Sequence, residues 1–256
     1  MTPETDDIST AAAGADRPTI RTVGVDGLLV SFGARLSEPA NRAALAFRDA
    51  VEAAGWDGVA ESSTSLVSTY LRFDPVHADH ETLRAALGDL LAARDWYAAP
   101  LPDGRRFWRI PTVYGGDHGP LLDEAAAAAG LTPEAAIESL STSRVRVQTI
   151  GFAPGQPYLG ELDEAWDIPR QKALTARVPE GALTVAIRQM VLFSVSTPTG
   201  WRHVGQTALR LFRPDADTPF VLRPGDEVLF DAVTPEELDN MRQAGPDGGA
   251  TFETIR

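Results

Sequence analysis

Four histidines, one lysine and no cysteine limit the chemistry this chain can do with its own side chains. The lack of thiols removes disulfides, thiolate metal ligands and thiol nucleophiles together. His77 and His80 are the one close histidine pair. They straddle a predicted helix start instead of standing four apart on one helix face, and no His-Glu-x-x-His pattern accompanies them, so they read as solvated loop histidines and not as a metal site. No Gly-x-Ser-x-Gly elbow is present, and the run from Ser62 to Ser65 lies in a predicted strand with no lysine beside it, which argues against an amidase-type Ser-Ser-Lys set. Lys172 follows Gln171, so the chain has no Gly-Lys for a Walker-type phosphate loop and no Met-Lys-Met-like turn for biotin. The densest concentration of turn residues beside polar side chains runs from Gly151 to Gly160, with Pro154, Gly155, Gln156, Pro157 and Tyr158 inside it. Such a loop can bring backbone N–H groups and a tyrosine close to a ligand, or simply link two domains.

The elements that must position these residues follow from hydrophobic period and turn chemistry. Thr19–Val25 and Leu28–Phe32, joined at Asp26-Gly27, read as a strand or hairpin. Ser37 caps a helix that carries Ala40, Ala44, Phe47, Val51 and Ala54 at helical spacing and ends at Gly55. Val59–Thr64 and Leu66–Phe73 are strand-like, Asp79 bounds a second helix, and Arg105–Tyr114 is the next strand. The order β-α-β-β-α-β over residues 19–114 predicts a ferredoxin-like domain, with two helices on one face of an antiparallel sheet. Residues 115–143 form a helical connector, with short helices at Leu121–Ala129 and after the cap Thr132. From Arg144 onward short β runs (Arg144–Phe152, Ala182–Ile187, Met190–Val195, Leu209–Phe212, Glu227–Phe230) alternate with Gly/Pro turns, predicting a β-barrel over 144–232. A short helix, Pro235–Ala244, and a Gly-rich tail occupy 233–256, and residues 1–18 read as a disordered lead-in. The fold class is therefore α+β.

A length of 256 residues fits one large or two ordinary domains, and 43% apolar residues are enough for a real core. The formal net charge of −13, concentrated in part in the two tails, gives no general attraction to nucleic acid or anionic lipid. Acids stand where a signal peptide needs a basic region, and no apolar run approaches the length of a membrane span. The chain reads as cytoplasmic.

A longer series of anchors carries a resemblance. Leu71-Arg72-Phe73-Asp74-Pro75, Ile110-Pro111, Tyr114-Gly115-Gly116 and Gly119-Pro120 precede the Gly151–Gly160 segment. After it come Leu162-Asp163, Ile168-Pro169-Arg170, Arg177-Val178-Pro179-Glu180-Gly181, Gln189, Thr197-Pro198-Thr199-Gly200-Trp201, Val204-Gly205-Gln206-Thr207 and Leu222-Arg223-Pro224-Gly225-Asp226. Together they resemble the family of B-type subunits of bacterial 5-oxoprolinase, also called allophanate hydrolase subunit 1 or KipI-like, of the carboxyltransferase subdomain C/D type. The resemblance runs in order over roughly residues 20–232. It implies a ferredoxin-like domain followed by a cyclophilin-like β-barrel. It also implies a C-type subunit whose cyclophilin-like barrel pairs with this one, an A-type subunit with a TIM barrel, and an ATP-dependent opening of 5-oxoproline to glutamate. ATP would be bound by or with the partner subunits, with no metal or biotin site in this chain. Two other readings of the same resemblance are a KipI-like protein that binds and inhibits a histidine kinase, and a carboxyltransferase half of a urea carboxylase or allophanate hydrolase system.

Departures from the family pattern cluster in the loops expected to line the pocket. Ile187-Arg188-Gln189 stands where the family has Gly-Gly-Gln, Pro198-Thr199-Gly200-Trp201 where it has Pro-Gly-Gly-Trp, Gly205-Gln206-Thr207-Ala208 where it has Gly-Arg-Thr-Pro, and Gly155-Gln156-Pro157-Tyr158 where it has Gly-Phe-Pro-Tyr. On the resemblance, Tyr158 and Gln189 are pocket residues or structural hydrogen-bonding groups, and Arg177 pairs with a substrate carboxylate or lies on the surface. Arg188 is a cation that could replace the charge missing at Gln206. His203 is a candidate acid or base, or a solvated histidine after a turn. Trp201 is expected in barrel packing and Lys172 on the surface. The resemblance identifies no catalytic residue.

Overall fold

The computed structural model describes residues 17–255, so the lead-in expected over 1–18 lies, up to residue 16, outside the described residues. A hairpin opens the fold, β1 (Thr19–Val23) against β2 (Gly27–Ser31). Helix α1 (Glu38–Ala54) starts where the Ser37 hydroxyl accepts the Ala40 N–H, and it stops at Gly55, whose φ of 57° few other residues would adopt. A second hairpin, β3 (Val59–Ser65) with β4 (Ser68–Phe73), leads to α2 (His80–Ala92), capped by the Asp79 carboxylate on the Glu81 and Thr82 N–H groups. The four strands form an antiparallel sheet in the order β1-β2-β4-β3. The helices cover it through a core that includes Leu28, Phe32, Phe47, Phe73 and Leu87.

The expected β-α-β-β-α-β order is not the one that forms. The opening segment takes the hairpin form of its two readings, which adds a strand, and the stretch meant to complete the sheet breaks at Pro111 into β5 (Arg105–Arg109) and β6 (Thr112–Tyr114), both of which belong to a different sheet. The reason lies in their side chains. Asp226, with no exposed surface, holds the Arg106 guanidinium, accepts the Arg106 N–H at 3.1 Å and accepts the Trp108 Nε1–H at 3.3 Å. Arg105 pairs with Glu227 at 2.5 Å. These carboxylates sit beside and at the start of a late strand, so sequence spacing alone carries no sign of them.

Two short helices, α3 (Leu122–Ala128) and α4 (Pro133–Thr142), come next. The chain then runs through β7 (Val145–Ile150), β8 (Pro157–Gly160), β9 (Thr175–Val178), β10 (Ala182–Ala186) and β11 (Gln189–Leu192). It ends with β12 (Thr197–Thr199), β13 (Arg202–Thr207), β14 (Glu227–Leu229), α5 (Pro235–Ala244) and β15 (Thr251–Ile255). Nine strands form one sheet in the order β15-β5-β14-β7-β8-β11-β10-β13-β6, and β9 with β12 makes a separate ribbon. The sheet curls back on itself: β6 pairs with β13, while Thr112 at its start bridges Ala232 just beyond β14. Val147, Leu159, Met190, Val204 and Phe230 fill the inside of the curl.

The barrel expected over 144–232 is thus a curled sheet that also recruits β5, β6 and β15 from outside that range. The run Leu209–Phe212 is not a strand. Leu209 and Leu211 are buried as coil, and a single bridge, Phe212 to Phe220, is its only ladder contact among the described residues. Asn41 joins the two sheets: fully buried, it donates to the Gln148 carbonyl at 3.1 Å and accepts from Arg146 at 3.1 Å. No helix of the described residues is long and apolar enough to cross a membrane.

Candidate functional site

Along β10 and β11 alternate side chains take opposite faces. Leu183, Val185, Met190 and Leu192 point into the curl, whereas Ala182, Ala186, Val191 and Phe193 form a second cluster with Val178 and Trp201. The second face carries the polar groups. Cross-strand register puts His203, Thr184, Val191, Tyr158 and Thr149 in one row over five strands. The neighbouring row contains Gln189 and Gly160, and there the Gln189 amide donates to Gln148 Oε1 at 2.7 Å. Gly160 makes that pair possible, because a Cβ at its position would stand 2.9 Å from Gln148 Oε1.

At the Tyr158 end of this face a cleft of about 190 Å³ opens between the Gly151–Gly160 loop and the β9–β12 ribbon. Phe152, Gln156, Tyr158, Arg170, Leu174 and Trp201 are among the residues lining it. Trp201 is 5% exposed and meets the Tyr158 ring edge-on at 6.1 Å, while the Arg170 guanidinium lies 5.0 Å above the indole. Gln156 is 1% exposed, and its amide oxygen has no hydrogen-bond partner among the described residues. Part of the loop's backbone is committed to the loop itself. The N–H groups of Gly151, Ala153 and Gln156 are used in turns, bonding the carbonyls of Gln156, Gly151 and Ala153 respectively. What it presents is side chains, with Phe152 standing outward at 72% exposure.

The residues singled out in the sequence do not converge. Tyr158 lines the cleft. Gln189 is buried in the amide pair described above. Arg177 is exposed and donates to the Ser196 hydroxyl at 2.6 Å. Arg188 sits in the β10–β11 turn, where its Nε donates to the Leu162 carbonyl at 3.0 Å. Gln206 pairs with Ala182 at the opposite end of β10 from Ala186, which adjoins that turn. Four residue steps along the strand separate the two ends, roughly 13 Å, so Arg188 does not supply a charge at Gln206. The Gln206 amide donates to the Glu180 and Thr207 carbonyls at 2.8 and 3.0 Å, beside a separate groove whose arginines, Arg210 and Arg242, face Glu180 and Asp239.

His203 is a correction to the solvated reading. It is 4% exposed within β13, and its Nε2 has no partner among the described residues. Burial pushes its pKa below the ordinary histidine value, although the Gly205 backbone and the Gln206 side chain pull the other way. It is therefore a neutral imidazole three strands away from Tyr158. His80 is half-buried, with its ring edge-on to Phe73 at 4.8 Å, while the exposed His77 bonds Asp74 at 3.0 Å. No group of three or more His, Cys, Asp or Glu side chains among the described residues is placed to hold a metal ion. Gln156 and Arg170 are among the cleft residues that sequence reasoning left out of its site. Both lie inside family anchors, but only the fold shows that a loop before β8 and a turn before β9 face each other.

Comparison with known proteins gives a consistent picture. Residues 18–222 match the family described as the carboxyltransferase domain, subdomain C and D. The B-type subunit of 5-oxoprolinase from Bacillus subtilis (strain 168) is 30% identical over 239 residues, covering 89% of this chain and 98% of that protein. Its counterpart from Escherichia coli O157:H7 is 42% identical over 125 residues, which is 49% of this chain and 57% of that protein. Among solved structures, TTHA0988 superimposes with a TM-score of 0.68 at 33% identity, over 82% of this chain and 40% of its own.

Proposed function

The chain belongs to the carboxyltransferase subdomain C and D family, and on that footing we propose that it is the B-type subunit of an ATP-dependent 5-oxoprolinase. In this reading it acts in the cytoplasm with A- and C-type partners to open 5-oxo-L-proline to L-glutamate, its curled sheet serving as the cyclophilin-like barrel that pairs with that of the C-type subunit. The observation that carries the proposal is the end-to-end alignment with the Bacillus subtilis protein, 30% identical over 98% of that protein.

A lactam is resonance-stabilised, and ATP supplies the activation of its amide oxygen toward water. This chain has no Walker-type phosphate loop. The only lysine, Lys172, is exposed in the turn before β9 and has no glycine before it. ATP is accordingly assigned to the partners, and the part given to this chain is to bind and orient. The test is reconstitution from separately purified subunits. All three together are expected to release glutamate only when ATP is present, and this chain alone is expected to be inert. Undiminished turnover with this chain left out, or none with all three present, overturns the reading.

A further inference from the structure

Residues 17–36 carry Arg17, Arg21 and Arg35 against a single acid, Asp26, in a chain whose net charge is −13. Register places Thr19 opposite Ser31 and Arg21 opposite Leu29, and Ile20 between them packs against the core under the helices. Thr19, Arg21 and Ser31 therefore share the face of the hairpin turned away from α1 and α2. There they line a groove of about 450 Å³ together with Arg17, Gly33 and Ala34. Asp26 stands in the turn at the other end of the hairpin, and no carboxylate among the described residues lines the groove.

Arginines elsewhere in the molecule are committed. Arg42 and Arg202 pair with Glu38 and Glu124, Arg94 lies over the Trp96 ring, and Arg177 donates to the Ser196 hydroxyl. Arg84 of α2 reaches β1 from the helix side, donating to the Ile20 carbonyl at 2.8 Å and the Thr22 hydroxyl at 2.9 Å, so it fixes this edge strand from behind the groove. Arg17, Arg21 and Arg35 are exposed and make no hydrogen bond, ion pair or ring contact with another described residue. The Thr19 hydroxyl beside them is without a partner too, whereas Ser31 Oγ shares a hydrogen bond with Ser68 Oγ at 3.0 Å. Three like charges gathered without a counter-charge repel one another. An anion from outside the described chain removes that repulsion.

We infer that this groove binds a compact polyvalent oxyanion, a small molecule with two or more negative charges on phosphate or carboxylate oxygens. The charged groups of its lining are all donors, and guanidinium forks suit both kinds of oxygen. No carboxylate in the lining receives an ammonium, and no aromatic ring in it holds a nucleobase, so neither a free amino acid nor a nucleotide base matches the groove. Four residues of chain span at most about 14 Å, so one compact ligand reaches Arg17 and Arg21 together. The volume falls within the range of about 300–1,000 Å³ common to small-molecule sites. The site lies outside the reaction proposed above and does not depend on it.

Calorimetric titration of the purified full chain with pyrophosphate, citrate and acetate tests the inference without any partner subunit. At least one of the two polyanions is expected to bind with a Kd below about 1 mM, and acetate, with its single charge, at least about tenfold more weakly. Tighter binding of pyrophosphate marks the ligand as a phosphate compound, and tighter binding of citrate marks it as a polycarboxylate. Arg17→Gln and Arg21→Gln, both exposed changes outside the core, should each weaken binding about tenfold. Arg242→Gln removes the same charge from α5, where Arg242 pairs with Asp239, and should leave binding unchanged. No binding of either polyanion at millimolar concentration would overturn the site. So would acetate binding as tightly as the polyanions, or the same affinity in Arg17→Gln, Arg21→Gln and Arg242→Gln.

Discussion

Ile187 and Arg188 occupy the two central positions of the β10–β11 turn with φ of 45° and 59°, both left-handed. Two-residue hairpins of this twist favour glycine or asparagine there, and an L-residue costs roughly 1–2 kcal/mol in that region. The Ile187 N–H donates to the Ile168 carbonyl at 2.8 Å, an interaction that glycine would keep. Ile187→Gly is therefore expected to raise stability by about 1 kcal/mol in chemical denaturation, and a loss of that size would show that the exposed side chain has its own packing role. His203 provides a second residue-scale test. Its folded pKa lies below its unfolded value because burial penalises the charged ring. The unfolded chain therefore binds the extra proton first, and stability falls as pH drops below the ordinary histidine pKa of about 6.5. Thermal melts at pH 7 and pH 5 should show a smaller acid loss for His203→Gln than for the native chain, and equal losses would count against this assignment.

Asp226 is the element-scale counterpart, since one carboxylate attaches β5 to the large sheet. It accepts the Arg106 and Arg223 N–H groups at 3.1 Å each and holds the Arg106 guanidinium beside Trp108. Replacing it with alanine leaves a half-buried guanidinium without its carboxylate, held only by the Val221 carbonyl and the Trp108 and Phe252 rings, and opens the start of β14. Asp226→Ala is expected to cost about 3–5 kcal/mol, read as a fall in the denaturation midpoint. A loss under about 1 kcal/mol would mean that the β5–β14 ladder holds without it. The C-terminal strand depends on the same anchorage. β15 pairs with β5 along its whole length, and Phe252 packs on Trp108 at a ring separation of 4.5 Å.

For the molecule as a whole, the exposed apolar side chains bear on assembly. Phe152 and Leu174, 72% and 69% exposed, share the rim of one cleft on the outer face of the curled sheet. Under the proposed function this rim meets the C-type subunit, and stable complexes of that kind bury on the order of 2,000 Å². Co-expression is expected to give one co-eluting peak in size exclusion. The double change Phe152→Asp with Leu174→Asp is expected to split it while leaving the melting curve of the isolated chain unchanged. Co-elution that survives the double change would place the contact elsewhere on the sheet.

The local elements were legible in the chain alone, because their signals are local. Ser37, Asp79 and Thr132 cap the helices they were expected to cap, and Pro235–Ala244 forms the helix read from it. The family was legible too, through anchors spread from Leu71 to Asp226. Which sheet a strand joins was not. Arg105–Tyr114 has the same β pattern whether it completes a four-stranded sheet or enters a nine-stranded one, and the deciding partners, Asp226 and Glu227, lie far along the chain. The site was undecided for the same reason. Arg188 and Gln206 look like neighbours in a comparison of motifs, yet β10 holds them apart, whereas Gln156 and Arg170, parts of separate anchors, line one cleft. Spacing along a chain sets φ/ψ preferences and the side of a strand a residue takes. Only closure of the sheet, driven by burial of its inner face, decides which distant side chains stand within reach of one ligand.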